Sequence, residues 1–314
     1  MYFCMITEVV FMPDIAIIGG GPAGLTAGLY AARGGADVTL YEELFPGGQI
    51  AKTPLVENYP GFPDGLEGYA VGGRIQKQAE KFGLKVEYAG ATGLRLDGGV
   101  KKIVLPDRTD EAKAVILCMG ASARMLGLPR EEELTGAGVS YCATCDGAFF
   151  KDQQVAIVGG GDTAISDALY LARFCAGVTV VHRRDELRAS PALQKTARAN
   201  PNIQFALSCI PVSLQGDKKV EGLEIRDLKT DQTRVLPVGG VFIAVGISPR
   251  TELVKDQVSL TPGGNILTDT LMKTNLPGVF AAGDIRNTPL RQVITACADG
   301  AVAATSALEY ILSL

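Results

Sequence analysis

Asp14-Ile15-Ala16-Ile17-Ile18-Gly19-Gly20-Gly21-Pro22-Ala23-Gly24 is the stretch whose reading decides the fold. The apolar run Ile15 to Ile18 predicts a short buried strand that passes straight into a Gly-x-Gly-x-x-Gly turn, and Leu25 to Arg33 reads as the helix that follows. Asp37 to Tyr41 predicts a second strand, closed by the acidic Glu42. Gly19 and Gly21 let backbone N–H groups approach a pyrophosphate at the helix start, where Pro22 and Ala23 stand, and Gly24 lets helix and strand pack closely. Glu42 then suits the hydroxyls of a ribose. A glycine-rich turn without a ligand is the weaker reading in this strand, turn and helix context.

The segment Gln154 to Arg184 repeats the design. Ala16-Ile17-Ile18-Gly19-Gly20-Gly21 matches Ala156-Ile157-Val158-Gly159-Gly160-Gly161, and Leu29-Tyr30, Arg33 and Val38-Thr39 match Leu169-Tyr170, Arg173 and Val178-Thr179. Gly159, Gly161, Asp162 and Thr163 are thus candidate residues of a second nucleotide loop. The repeat sets Glu42-Glu43 against His182-Arg183, followed by Arg184 and Arg188. Arginines at that place suit a 2'-phosphate through charge-assisted hydrogen bonds, so the second site reads as NADP-type, ahead of a merely solvated basic face. His182, the sole histidine, reads as structural or stacked near the nucleotide.

A second internal match marks the boundaries. Val115 to Arg124 resembles Val241 to Arg250, each an apolar strand that ends at Gly and leaves through small residues. The fold class is therefore α/β, with two Rossmann-like dinucleotide-binding domains of three ββα layers, the second inserted into the first. The expected division is 1–120 with 250–314, and 121–249. Leu84 to Leu105, broken at Asp97-Gly98-Gly99, predicts a β-meander, and Ile203 to Leu236, turning near Gly216-Asp217, predicts its counterpart. Gly47-Gly48-Gln49 and Glu57-Asn58-Tyr59-Pro60-Gly61 are loops where a cofactor extending from Glu42 would meet Gly48, Gln49 and Asn58. After the insert, Gly278 to Asp284 is a strand ending in Gly283-Asp284, and Arg291-Gln292-Val293 opens an Ala-rich helix running towards Leu312. A carboxylate at a strand end beside a helix N-terminus suits the ribityl chain and electron-rich edge of a flavin, so FAD is the expected occupant of the first domain.

Within the insert lies Cys142-Ala143-Thr144-Cys145-Asp146-Gly147. Two thiols at this spacing can close a small disulfide ring, and the adjacent carboxyl can supply or remove protons. Half of a zinc site is the competing reading, but zinc takes four ligands and the chain offers no second Cys pair or paired His, so no metal is expected. Cys4, Cys118, Cys175, Cys209 and Cys297 read as small apolar residues of the core.

The balance of 30 basic and 34 acidic residues, net charge −4, excludes a generalised nucleic-acid surface. Scattered cysteines fit a reducing compartment, hence the cytoplasm, and no apolar run reaches the length of a membrane span. Residues 1–12 carry Glu8, lack a basic start and lack a small-residue cleavage site, so they do not read as a signal peptide. Met12, directly before the first strand, is the expected natural start.

Together, Gly19 to Gly24, Gly47-Gly48-Gln49, Cys142 to Gly147, Gly159 to Ala164, His182 to Ala189 and Gly283-Asp284 resemble the bacterial low-molecular-weight thioredoxin reductases, over essentially the whole chain from Met12. The resemblance implies a homodimer whose subunits bind FAD in the discontinuous domain and NADPH in the insert. It implies electron flow from NADPH through FAD and a Cys142–Cys145 disulfide to thioredoxin. Cys145 would face the flavin, Cys142 would attack the thioredoxin disulfide and Asp146 would handle protons. The insert would rotate about hinges at Gly120 to Arg124 and Gly246 to Arg250. Three features depart from the family pattern: Ser166-Asp167 stands where paired glutamates are common, Ala148 where an aromatic is common and Pro191 where a basic residue is common. Ferredoxin-dependent flavin thioredoxin reductases and dithiol oxidases of the same fold are the rival readings, and both are expected to lack the arginine cluster. A non-catalytic nucleotide sensor would need neither thiol.

Overall fold

A computed structural model of the chain describes residues Met12–Thr53 and Leu55–Leu314. Cys4 and the segment before Met12 lie outside the described residues. The chain divides into two compact units, one comprising the described residues up to Ser122 together with Ser248–Leu314, the other Ala123–Ile247.

The first unit starts with β1 (Ile15–Ile18), α1 (Pro22–Arg33) and β2 (Val38–Tyr41). All four residues of β1 and all four of β2 are buried, as expected of strands covered on both faces in a parallel sheet. Pro22 occupies the first turn of α1, where its missing N–H costs nothing. After α2 (Gly68–Glu80) comes β3 (Lys85–Glu87), which pairs in parallel with β2 through Thr39 and Lys85. The predicted meander from Leu84 therefore divides: α2 supplies the crossover a parallel strand needs, so Lys85–Glu87 joins the main sheet. The remainder, β4 (Gly93–Arg95), β5 (Lys101–Val104) and β6 (Thr109–Ala112), forms a three-stranded antiparallel sheet. β7 (Ala114–Leu117) returns beside β1, and β8 (Ala121–Ala123) leaves the unit.

The second unit repeats this plan with β9 (Val139–Ser140), the short α3 (Ala143–Asp146), β10 (Gln154–Val158), α4 (Asp162–Leu171), β11 (Gly177–His182), α5 (Pro191–Ala199) and β12 (Ile203–Leu207). Here too the expected meander divides, because α5 carries the chain back so that β12 pairs in parallel with β11. The antiparallel sheet is β13 (Cys209–Gln215), β14 (Gly222–Asp227) and β15 (Thr233–Leu236). β16 (Gly240–Ile243) completes a parallel sheet of order β12-β11-β10-β16-β9.

The crossing strand β17 (Ile247–Pro249) pairs with β8 as a two-stranded ribbon. Back in the first unit, β18 (Val279–Ala281) completes the order β18-β7-β1-β2-β3, and α6 (Val293–Leu312) packs along α1. The α1–α6 contact is close because Gly300 has no side chain: a Cβ there would lie 2.2 Å from the Ala23 carbonyl oxygen. Both units are thus Rossmann-like α/β folds with one parallel sheet each. Among the described residues no helix is long and apolar enough to cross a membrane.

Candidate active site

The first glycine loop is shaped by steric need. Gly19 sits at φ +105°, and a Cβ on it would lie 2.5 Å from the Cys118 carbonyl oxygen of β7's end. A Cβ on Gly24 would lie 1.9 Å from the Gly19 carbonyl oxygen, whereas Gly21 faces open space. The loop is therefore packed on its sheet side and bare where a ligand would approach. Glu42, at the end of β2, accepts the Gly20 N–H at 2.7 Å with one carboxylate oxygen and the Leu44 N–H at 3.1 Å with the other. Each oxygen keeps a lone pair for a further donor such as a ribose hydroxyl.

Two later segments converge on this loop. Gly47 N–H bonds to the Gly20 carbonyl at 2.8 Å, and the Cβ position of Gly48 lies 3.1 Å from Gly21 Cα, so Gly48 and the exposed Gln49 flank the glycines. The Cβ position of Gly283 lies 2.9 Å from the methyl of Ala23, which brings Gly283-Asp284 and the start of α6 beside the start of α1. Asn58 donates to Gln292 Oε1 at 3.0 Å, joining the loop after β2 to the residue that caps α6. Gln292 and Thr295 form a reciprocal capping box there, so the helix starts at Val293 rather than at Arg291. Burial pushes the Asp284 carboxyl up, Arg291 opposes this, and Asp299 adds to it. Arg291 Nε is buried without a hydrogen-bond partner. Two adjacent helix N-termini, a loop open at Gly21 and an orphaned guanidinium nitrogen suit an elongated anionic dinucleotide, so these residues fit FAD.

The second loop, in the other unit, follows the same rules. A Cβ on Gly159 would lie 2.5 Å from the Ala244 carbonyl oxygen, while Gly161 again faces open space ahead of α4. His182 ends β11 with its ring over Gly160, whose Cβ position is 2.3 Å from Nδ1. Burial lowers the pKa of that imidazole, the Glu186 backbone opposes it, and the Arg188, Arg184 and Arg183 charges lower it further. The ring is buried, and burial and the neighbouring arginine charges both favour its neutral form. Arg188 and Ala189 N–H groups both bond to the Gly160 carbonyl, at 2.7 and 3.1 Å, which ties the arginine segment to the glycine loop. Asp162 opens α4 and accepts the Ser190 N–H at 2.6 Å; Thr163 beside it is exposed, as are Arg183, Arg184 and Arg188. A loop bare at Gly161 with three exposed guanidinium groups at its rim fits the phosphates of NADPH.

Cys142 and Cys145 are joined in a disulfide with Cα atoms 5.3 Å apart. Cys142 precedes α3 and is half-buried, and Cys145 is exposed. Ala143 is buried under α3, and a Cβ on Gly147 would lie 2.9 Å from Leu171, so the Gly after Asp146 is what lets α3 sit on α4. Asp146 is half-buried and burial pushes its carboxyl up, while a hydrogen bond from Ser140 pulls it down. Ser140 Oγ donates to Asp146 Oδ2 at 2.6 Å and accepts the Cys142 N–H at 3.1 Å. Cys118, Cys175, Cys209 and Cys297 are free and buried. Among the described residues, no group of three or more His, Cys, Asp or Glu side chains could hold a metal ion.

Sequence reasoning passed over Ser140, whose partner is six residues away, and the Arg286–Asp299 pair. Asp299 carried a usable signal: it is the one acid in the apolar and small-residue stretch Val293–Leu308 of α6.

The model of the pyridine nucleotide-disulphide oxidoreductase family matches residues 13–300. The chain is 46% identical over 304 residues to the thioredoxin reductase of Streptomyces coelicolor, covering 96% of this chain and 94% of that protein. It is likewise 46% identical to the thioredoxin reductase of Peptoclostridium acidaminophilum, covering 95% and 96%. The crystal structure of thioredoxin reductase from Streptococcus pyogenes superimposes with a TM-score of 0.91 at 45% identity, covering 96% of this chain and 99% of that one. With its two dinucleotide loops and its paired cysteines, the chain belongs to the pyridine nucleotide-disulphide oxidoreductase family, among the thioredoxin reductases.

Proposed function

We infer that this chain is an NADPH-dependent thioredoxin-disulfide reductase, and that its discontinuous unit holds FAD while the inserted unit holds NADPH. The observation that carries the reading is the Cys142–Cys145 disulfide, with the Asp146 carboxyl on the same turn, in a unit that also presents Arg183, Arg184 and Arg188 beside a bare glycine loop.

When bound, NADPH supplies a hydride and FAD relays its two electrons to a disulfide. The protein's part is to bind, orient and move protons. Gly19, Gly21, Pro22, Ala23 and Gly24 would hold the FAD pyrophosphate at the start of α1, Glu42 its ribose, and Gly48, Gln49 and Asn58 the path between. Gly283, Asp284, Arg291, Gln292 and Val293 would orient the flavin end. Gly159, Gly161, Asp162 and Thr163 would hold the NADPH pyrophosphate. Arg183, Arg184 and Arg188 would grip its 2'-phosphate, with His182 packed beneath. At the dithiol, Cys142 attacks the disulfide of thioredoxin, Cys145 resolves the mixed disulfide, and Asp146 takes and returns protons. A charged carboxylate beside a thiol would hinder thiolate formation, so the burial that pushes the Asp146 carboxyl up favours the exchange. The arginines favour this reading over a ferredoxin-fed reductase or a dithiol oxidase. We extend the proposal to a homodimer, on the family resemblance, and to the cytoplasm, where the four free buried thiols of the described residues would stay reduced.

The test is anaerobic mixing of the flavin-loaded protein with NADPH and, separately, NADH, followed by addition of oxidised thioredoxin. Rapid flavin bleaching by NADPH and reoxidation by thioredoxin are expected. Cys142→Ser should abolish the second step and keep the first. Bleaching by a chemical dithiol but by neither nucleotide would overturn the donor assignment.

A further inference from the structure

The dithiol turn carries one buried hydroxyl that its chemistry has not yet used. Ser140 is 3% exposed, in β9, and its Oγ has three polar neighbours: Asp146 Oδ2 at 2.6 Å, the Cys142 N–H at 3.1 Å and the Cys142 carbonyl oxygen at 3.3 Å. A hydroxyl has one proton to give. The carboxylate, nearer and charged, is the stronger acceptor, so Ser140 donates to Asp146 and accepts from Cys142 N–H. The result is a bridge from the first cysteine's backbone to the acid, closed over one turn.

We propose that Ser140 is a positioning residue for proton transfer at the dithiol: its hydroxyl bridges Cys142 N–H to Asp146 and thereby sets the orientation and proton affinity of that carboxyl. The proposal rests on the assignment of Asp146 to proton transfer. In the exchange, Cys142 loses its proton and its sulfur attacks one sulfur of the substrate disulfide. That S–S bond breaks and the departing sulfur takes a proton. Cys145 then loses its proton and attacks the Cys142 sulfur, restoring the Cys142–Cys145 bond and releasing the second substrate sulfur, which takes the other proton. Two electrons and two protons pass from protein thiols to substrate thiols. A carboxyl that serves both steps must gain and lose a proton easily, which neither a fully charged nor a permanently neutral acid does.

Burial pushes the Asp146 carboxyl up, and the hydrogen bond from Ser140 opposes it. Asp146 ends α3, which packs on the turn Gly147–Phe150 and on α4, and it bonds Ser140 of β9. Their titratable groups are Cys142 and Cys145, which are bonded to each other, and Asp162, Asp167 and Tyr170 of α4. Tyr141, between Ser140 and Cys142, donates its hydroxyl hydrogen bond to Glu131 Oε1 at 2.8 Å. None of these supplies a cation to hold the carboxylate charged, so the hydroxyl is what remains.

The experiment is an infrared difference titration of the protonated carboxyl of the oxidised holoenzyme, the Asp146 band being the one lost in Asp146→Asn. In Ser140→Ala the midpoint should move to higher pH, because the charged form loses its donor. At a fixed pH the ratio of charged to protonated Asp146 should fall on the order of tenfold, the effect of one hydrogen bond to a charged group. Ser140→Thr should restore the wild-type midpoint. The pH profile of reoxidation by thioredoxin should move in the same direction in Ser140→Ala, and Ser140→Ala should add nothing in an Asp146→Asn background. Retained FAD and normal bleaching by NADPH report correct folding, and Ser140→Gly serves if the Ala variant fails that check. An unmoved midpoint in a folded variant overturns the proposal alone. A moved midpoint with exchange unaffected by Asp146→Asn overturns the reading of Asp146 on which it rests.

Discussion

Asp299→Ala probes the ion pair that fixes the start of α6 to the Gly283-Asp284 turn. Asp299 Oδ2 accepts Gly283 N–H at 3.1 Å and Arg286 Nη1 at 3.0 Å, and the Arg286 and Asp299 side chains are 11% and 12% exposed. Removing one partner of such a pair leaves a desolvated charge, at a cost of roughly 3–5 kcal/mol. Arg286 cannot swing freely to water, because its Nε also donates to Thr268 Oγ1 at 2.7 Å. The residual exposure favours the lower end, so about 3 kcal/mol is expected. With a urea slope of about 3 kcal/mol/M for a protein of this size, the unfolding midpoint should fall by about 1 M. The chain has no Trp but has 9 Tyr, so tyrosine fluorescence or far-ultraviolet circular dichroism of the holoenzyme reads the transition, and flavin release identifies the unit that opens. Asp299→Asn keeps an acceptor for Gly283 and should recover about 1 kcal/mol. Arg286→Leu combined with Asp299→Ala removes both charges and should be more stable than Asp299→Ala alone. A midpoint for Asp299→Ala within about 0.2 M of wild type, or a double variant no better than it, would refute the reasoning.

Three further outcomes follow from the same geometry. Burial pushes the half-buried Asp167 carboxyl up to about 6, above its value in the unfolded chain, so its contribution to stability is full below about pH 4 and is lost as pH rises through 6. Asp167→Asn should therefore unfold at higher urea than wild type at pH 8, by on the order of 2 kcal/mol, and lose that advantage at pH 4; equal advantage at both values would contradict it. Arg183→Gln with Arg184→Gln should raise the KM for NADPH by at least about tenfold and leave that for NADH nearly unchanged, each lost charge-assisted bond being worth about 1.5–3 kcal/mol; steady-state kinetics with both donors decides it. Gly24→Ala sets a methyl 1.9 Å from the Gly19 carbonyl oxygen, and Gly19 is itself wedged against Cys118, so the purified protein should lack visible flavin absorbance; a normally coloured variant would mean the loop yields more than its packing implies.

Much of the fold was legible because its strands are local, fully buried and punctuated by glycine. Ile15–Ile18 and Val155–Val158 read as continuous apolar runs, the mark of strands covered on both faces, and the turns after them need glycine for reasons a single residue carries. The Cys142, Cys145 and Asp146 constellation is likewise local, one helical turn, so spacing alone exposes it. What the sequence did not disclose were pairings over distance. Lys85–Glu87 and Ile203–Leu207 look like the first strands of meanders, yet each joins a parallel sheet, because pairing depends on which edge a preceding helix delivers the chain to. Asp299 finds Arg286 and Gly283 only once α6 lies against its turn, and Ser140 finds Asp146 only once β9 and α3 are fixed at their angle. A sequence specifies which groups can bond and which residues can turn or bury. Which buried acid meets which donor is decided by packing, since a desolvated carboxylate must take the partner that the tertiary structure brings within 3 Å.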